Sequence, residues 1–569
     1  MNTDFPRPWI KQYPDFVQKE ALQAWDTSLA GLLDSAAEEN PERSAIIYEK
    51  TQISYAALRE KAEQFAASLY KLGFKQGDRV AIMLPNLPQM IIAFWGVVKA
   101  GGVMVLMNPL YKEKEIIANL TDAGAEYILL QDVLWPKIDA LRTKLPLHTY
   151  IVTSQDDCLA FTRRLLQKFT KKSSTMAEPV PYDGKQIFSW SQFFALAHDY
   201  FPVSGITGNT PLLLQYTGGT TGTSKGVILT HGNMGTNALQ IRQFFNLSAK
   251  DQHIFLDILP FFHVYGLSLG LIQPVATKAT ALPLPRFDPR ETLQTIAAYR
   301  PTIFPSAPAI YISLLKQKEL ANYDLKSIRI CMSGSAPLPQ EIFKRFQEIT
   351  GASILEGYGL TEASPVTHFM PLGAEGTRER SIGLPLPGTD TRIVDMDAGA
   401  LTLEPGKRGE LVIRGPQVMQ GYLNNADETA SALRNGWLYT GDIAMMDEDG
   451  FFYIVDRKKD MAIVGGYNVF PREVDEVLME HPKIHEAVCV GLQDDVRGEV
   501  LKAFIVPKAG ETLTKSEIVG FCRGKLASYK VPRQIEFREE LPRSIVGKIL
   551  RRYLRDEEEM AKKTLNPRA

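Results

Sequence analysis

Between residues 30 and 154, apolar positions recur with two different periods that follow one another in turn. Residues 55–72 carry apolar side chains at helical spacing behind Ser54, whose hydroxyl suits an N-cap, and the run stops at Gly73. Short apolar runs at 80–84, 103–107, 127–130 and 150–152 read as strands, with helices at 90–99 and 116–120 between them. Apolar strands separated by helices of this length predict a parallel, doubly wound sheet. The alternation resumes after 212, with a strand at 212–214, a helix at 233–245 and a strand at 328–332. From 391 to 453 the helices thin out. Short β runs at 411–413, 436–442 and 451–455 predict a smaller β-rich unit. A run of five charges, DRKKD at 456–460, reads as a solvated turn and an interdomain linker. Beyond it a helix at 472–479, strands at 487–491 and 503–506, and a helix at 515–526 predict a separate α+β domain of about 110 residues. The expected fold is therefore α/β. A large N-terminal domain of doubly wound αβ subdomains plus a β-rich unit spans 1–456, a hinge spans 457–460, and a small mobile α+β domain spans 461–569.

Composition narrows the class. At 569 residues the chain is too long for one core. It is 45% apolar and 23% charged with a net charge of −1, so nothing calls for nucleic acid as a partner. The four cysteines (Cys158, Cys331, Cys489, Cys522) lie far apart, which excludes a metal or redox spacing and argues against a disulfide framework. His481 and His485 have a metal-like spacing, but Pro482 lies between them and no Glu follows His481, so a chance pair is the better reading. The first residues hold no apolar stretch of the signal-peptide kind, and the longest apolar run, 90–98, is too short to span a bilayer. A cytoplasmic protein is expected. One stretch, 158–181, combines helical apolar spacing with Arg163, Arg164, Lys168, Lys171 and Lys172. An amphipathic helix packed on its own domain is the plainer reading, and a peripheral contact with the inner face of a membrane is the alternative.

The chemistry centres on 216–227, YTGGTTGTSKGV, which follows the strand 212–214. Glycines let backbone amides turn toward an anion, hydroxyls add donors and Lys225 adds a point charge, so the loop is suited to phosphate oxygens. It is not a Walker A loop, because Ser224 precedes the lysine and Gly226 follows it. Three more turns end strands: an aromatic one around His263 (257–266), SGSAPL at 333–338 and EGYGLTE at 356–362. In the last, Thr361 and Glu362 set a hydroxyl beside a carboxylate. Near the C-terminus SIVGK (544–548) is an exposed loop with a lysine after a glycine.

Together these stretches resemble the adenylate-forming enzyme superfamily, and within it the bacterial long-chain fatty acyl-CoA synthetases. The resemblance covers about 30 to 552. Its motifs are YTGGTTGTSKG, GYGLTE, YTGD at 439–442, the segment 435–475 and PRSIVGKILRR at 542–552. Ser544 stands where many members have Thr, which keeps the hydroxyl. The resemblance implies two steps, in which a fatty acid carboxylate and ATP give acyl-AMP and pyrophosphate, and coenzyme A then displaces AMP. It implies that Thr217, Gly218, Gly219, Thr220, Thr221, Gly222, Thr223 and Lys225 hold the β- and γ-phosphates. Gly334, Ser335, Ala336, Gly357, Tyr358 and Gly359 would form the adenine side. Thr361 would reach the α-phosphate and Glu362 would bind Mg²⁺. Asp442 would take the ribose hydroxyls with support from Arg457, Lys459 would be the hinge, and Lys548 would serve adenylation. His263 and Tyr265, with Phe261 and Phe262, would line or gate the acyl pocket, and Gly465, Gly466 and Tyr467 would face the pantetheine of CoA. The substrates implied are fatty acid, ATP and CoA. An adenylating ligase for medium-chain or aryl acids, acyl transfer to a carrier protein, and a non-catalytic sensor on the same fold are the competing readings. Chain-length preference and oligomeric state, a homodimer included, stay open.

Overall fold

The structure, a computed structural model, describes residues 6–18, 22–159, 179–217, 224–374, 378–494, 498–543 and 549–565. The tip of the phosphate loop, most of the basic stretch 158–181 and the SIVGK loop with Lys548 therefore lie outside the described residues. The chain divides into two compact units, one of residues 10–390 and 414–438, the other of 1–9, 391–413 and 439–569.

The larger unit holds two mixed sheets. The first has eight strands in the order Gly421–Tyr422, Lys225–Thr230, Pro211–Thr217, Val103–Leu106, Arg79–Met83, Tyr127–Gln131, Thr149–Thr153, Ile187–Ser189. Its central pairs are parallel, as the buried apolar runs predict. The helices fall where the periodicity puts them. Tyr55–Lys71 is capped by the Ser54 side chain, which accepts from the Ala57 N–H. Pro88–Lys99 is buried along its whole length, Lys99 included. That lysine is neutralised by Asp34 at 2.6 Å and Glu63 at 3.1 Å, which is how an ammonium survives in such a position. The second sheet has nine strands, and its parallel core runs Ser353–Gly359, Ile330–Ser333, Ile303–Ser306, Ile254–Asp257, Thr280–Pro283, Ser44–Tyr48. The sequence turns 257–266, 333–338 and 356–362 all leave the carboxyl ends of strands of this sheet, where open α/β sheets place their ligands.

The smaller unit carries the antiparallel pair Trp437–Met446 and Phe452–Arg457, with Asp442 opposite Arg457. It also carries a five-stranded sheet in which Ile484–Asp494 and Gly498–Pro507 form the long central ladder. Pro471–Met479 and Lys515–Arg523 pack on one face of that sheet through Val474, Leu478, Ile518 and Cys522. The charge run at 456–460 departs from the expected solvated turn. Asp456 is 2% exposed and Asp460 8%, and both face arginines of the helix Arg551–Leu565. Arg551 lies 3.8 Å from Asp456 and also bonds Asp475, while Arg555 reaches Asp460 at 3.2 Å. The two carboxylates are buried because those cations, nearly 100 residues further along, complete their charge, while Arg457, Lys458 and Lys459 between them stay partly open to solvent. Among the described residues no disulfide forms, no group of three or more His, Cys, Asp and Glu side chains converges on a metal position, and no helix is long and apolar enough to cross a membrane.

Candidate active site

In the larger unit the glycine-rich stretch lies between two strands of a hairpin. Pro211–Thr217 and Lys225–Thr230 pair antiparallel, with Thr217 opposite Lys225, and residues 218–224 of the sequence connect them. Ser224 donates its hydroxyl to the Thr217 carbonyl at 3.0 Å, which closes the base of the tip. Tyr216 faces away and donates to Asp122 at 2.7 Å. Lys225 is 15% exposed at its side chain. Its ammonium lies 2.5 Å from Glu428 Oε2 and 5.2 Å from the centre of the Tyr422 ring. The Tyr422 hydroxyl in turn donates to Glu362 Oε1 at 2.9 Å. Burial and then the adjoining Glu362 charge push the Tyr422 phenol well above its ordinary pKa, so it stays a donor. Lys225, Tyr422 and Glu362 thus form one row, with an ammonium at one end and a carboxylate at the other.

Glu362 lies in the short turn Thr361–Ala363, and its carbonyl accepts from the Met419 N–H at 2.8 Å. Among the described residues its carboxylate takes this one phenolic hydrogen bond. A single carboxylate with a spare hard oxygen suits Mg²⁺, which is commonly held by one or two carboxylates plus substrate phosphates.

The two small-residue turns come together. The Leu338 N–H donates to Glu356 Oε2 at 3.0 Å, tying the 333–338 turn to the start of EGYGLTE. A Cβ at Gly334 would sit 3.0 Å from the Tyr265 hydroxyl, so any larger residue would press the turn against that ring. Tyr265 is 7% exposed and donates toward the carbonyls of Met332 (3.1 Å) and Ser306 (3.3 Å). It therefore braces the Gly334, Ser335, Ala336 turn from below. Ser335 has φ of 71°. Tyr358, between Gly357 and Gly359, lies edge-on to His368 with ring centres 5.9 Å apart. His263 caps the turn Val264–Gly266, its Nδ1 accepting from the Tyr265 N–H at 3.3 Å. Phe261 is fully buried in the core, and the Phe262 carbonyl accepts from Gln215 Nε2 at 3.1 Å. Asn86 fixes this aromatic turn: it donates to the carbonyls of Asp257 and Leu259 and accepts from the Phe261 N–H.

In the smaller unit Asp442 is 13% exposed, and its Oδ1 lies 3.5 Å from Arg457 Nε across the ladder. Thr440 shapes the strand before it, donating to the Leu411 carbonyl at 2.8 Å and accepting from the Asp442 N–H at 3.1 Å. Glu410, 6% exposed, accepts from the Gly441 N–H and from Lys458 Nζ, so one carboxylate joins the YTGD segment to the charge run. Burial, and next the Arg457 charge, lower the pKa of Lys459. A cavity of about 260 Å³ lies beside it, lined by Gly491, Leu492, Glu499 and Arg555 among others. Gly465 and Gly466, at φ 58° and 85°, make the two-residue turn between Ala462–Val464 and Tyr467–Val469. Tyr467 is 58% exposed and stacks on Tyr529, with ring centres 4.5 Å apart. Sequence reasoning passed over Tyr422, Glu428 and Asn86. None has a motif spacing to its partner, and only the folded hairpin joins the first two to Lys225.

The chain resembles known proteins along almost its whole length. The profile described as AMP-binding enzyme matches residues 33–423, and the AMP-binding enzyme C-terminal domain matches 473–548. A long-chain-fatty-acid–CoA ligase of Bacillus subtilis is 42% identical over 557 residues, covering 97% of this chain and 98% of that protein. One of Salmonella typhimurium is 36% identical, covering 96% and 98%. Among solved structures, the anthranilate CoA ligase AuaEII in complex with anthranoyl-AMP has a TM-score of 0.82 at 27% identity, covering 95% of this chain and 99% of that one. A fatty acyl CoA synthetase of Mycobacterium tuberculosis has a TM-score of 0.71 at 28% identity, covering 94% and 99%.

Proposed function

The chain belongs to the AMP-binding enzyme family, and from that premise we propose that it is an AMP-forming long-chain fatty acid–CoA ligase. A fatty acid carboxylate oxygen bonds to the α-phosphorus of ATP as the bond to pyrophosphate breaks. The CoA sulfur then bonds to the acyl carbon, its proton is lost, and AMP leaves with the former carboxylate oxygen. A free carboxylate is a poor electrophile, and AMP supplies the leaving group. This chemistry needs positioning and charge stabilisation rather than a protein nucleophile.

The observation that carries the reading is the row Lys225, Tyr422, Glu362, which holds a phosphate-suited ammonium and a metal-suited carboxylate on either side of one ring. In this reading Thr217, Gly218, Gly219, Thr220, Thr221, Gly222, Thr223 and Lys225 hold the β- and γ-phosphates, and Thr361 meets the α-phosphate. Glu362 holds Mg²⁺, which when bound offsets phosphate charge. Tyr358, flanked by Gly357 and Gly359, and the turn Gly334, Ser335, Ala336 receive adenine. Asp442 accepts from the ribose hydroxyls, with Arg457 holding its carboxylate. Lys459 is the hinge of a 457–460 linker between domains 1–456 and 461–569, and Lys548 steadies the charge of the adenylation step. His263 and Tyr265 belong to the acyl pocket, and Gly465 and Gly466 to the CoA side. A peripheral membrane contact through 158–181 belongs to the same proposal and rests on sequence alone.

The test is AMP release from ATP across straight-chain acids from acetate to stearate and a set of aryl acids, with and without CoA. Long-chain acids should give the highest kcat/KM and require CoA for turnover. Preference for aryl acids, or sustained turnover without CoA, would overturn the reading.

A further inference from the structure

We infer that Glu428 sets how tightly Lys225 holds the β- and γ-phosphates, by competing with them for its ammonium. The inference rests on the reading of Lys225 as a phosphate contact. The Lys225 ammonium lies 2.5 Å from Glu428 Oε2, with the two side chains 15% and 39% exposed. Glu428 is held by its own backbone rather than by the lysine. Asn425 caps the helix Ala426–Ala432 by accepting from the Glu428 N–H at 3.2 Å. Next to it, the Thr429 hydroxyl donates to the Asn425 carbonyl at 2.7 Å and accepts from the Tyr422 N–H at 2.9 Å. The strand Gly421–Tyr422 then pairs with Ile228 and Val227 of the loop's outgoing strand. The Glu428 backbone is therefore fixed beside the strand that carries Lys225 whether or not the lysine reaches its carboxylate.

A triphosphate brings several anionic oxygens to a lysine that is already neutralised. The gain from pairing is smaller than with a free ammonium, and like charges come close. AMP has no β- or γ-phosphate and escapes the competition. When pyrophosphate departs, Glu428 takes the ammonium back, so leaving does not strand an unpaired lysine. Affinity that is equal for ground and transition states lowers KM without raising kcat, so trimming it frees product at no catalytic loss. A residue that merely propped Lys225 in place would have the opposite effect, because its removal would loosen the phosphates.

The experiment is calorimetry of the full-length protein with ATP, pyrophosphate and AMP in magnesium buffer, for wild type, Glu428→Gln, Lys225→Met and the double variant. Glu428→Gln should tighten ATP and pyrophosphate by about tenfold, a size fitting one partly screened charge contact, and leave AMP unchanged. Lys225→Met should weaken ATP and pyrophosphate, and in that background the Glu428→Gln effect should shrink to the smaller part that direct repulsion contributes. Glu428→Ala should act in the same direction, so a folding defect in one variant leaves the other to decide. Unchanged or weaker ATP binding in folded Glu428 variants, while Lys225→Met still weakens ATP, overturns this inference alone. Unchanged ATP binding in Lys225→Met overturns the phosphate reading of Lys225 itself.

Discussion

Asp442 and Arg457 face each other across an antiparallel ladder, with carboxylate and guanidinium 3.5 Å apart. The register makes this pairing. The strand Trp437–Met446 includes YTGD, with Asp442 as the last residue of that motif, and Phe452–Arg457 ends on the residue directly opposite. A two-oxygen acceptor held by an arginine is well suited to a vicinal diol.

Asp442→Ala is expected to weaken ATP binding by on the order of 2–4 kcal/mol, the worth of a charged acceptor for two hydrogen bonds. Fatty acid binding should change far less. Calorimetry with each ligand checks this, and an unaltered ATP affinity would take Asp442 out of the ribose role.

The two half-reactions should separate genetically. Lys548→Ala should lose adenylation by ~10²–10³ in rate, because one preorganised positive charge is gone, yet still turn supplied acyl-AMP and CoA into acyl-CoA. Lys459→Pro fixes φ at the hinge and should do the reverse, keeping adenylation and losing the CoA step. Pyrophosphate exchange and CoA consumption from synthetic acyl-AMP read the two steps apart. Equal loss of both steps in both folded variants would count against a rotating domain.

Much of the scaffold was legible in the sequence because its causes are local. Ser54 before a 3.6-residue apolar period gives the helix Tyr55–Lys71, and the apolar runs at 80–84 and 127–130 become buried parallel strands. The strand leading into the glycine-rich stretch was legible for the same reason, whereas its antiparallel return Lys225–Thr230 was not read. What was not legible depends on distant partners. Glu428 meets Lys225 from 203 residues away, and the two aspartates of the DRKKD run are buried because Arg551 and Arg555 return to them. The Tyr265 hydroxyl likewise reaches the backbone beneath Gly334, a contact that its aromatic neighbours in sequence do not announce.

Acid should weaken the larger unit through its buried histidines. Burial lowers the pKa of His231 to about 4 and of His368 to about 3. The unfolded chain takes up these protons near pH 6.5, so the native state excludes them as pH falls below that value. The stability linked to neutral imidazole is present above about pH 6.5 and is lost as pH falls toward 4 and then 3. His231 Nδ1 accepts from the Leu29 N–H at 3.1 Å, a bond that Asn can replace. His231→Asn should therefore flatten the dependence of unfolding free energy on pH between 4 and 6.5 by about 1.4 kcal/mol per pH unit, one proton's worth. Urea unfolding at several pH values measures the slope, and an identical slope in the variant would contradict a neutral buried His231.

On the proposed route a fatty acid carboxylate bonds to the α-phosphorus of ATP before CoA takes the acyl group. Palmitate labelled with oxygen-18 in both carboxylate positions, incubated with the full-length protein, ATP and CoA, tests that order by mass spectrometry of the products. AMP should carry one labelled oxygen, palmitoyl-CoA should keep the other, and pyrophosphate should be unlabelled. Palmitoyl-CoA formed alongside unlabelled AMP, or ADP appearing in its place, would rule the route out.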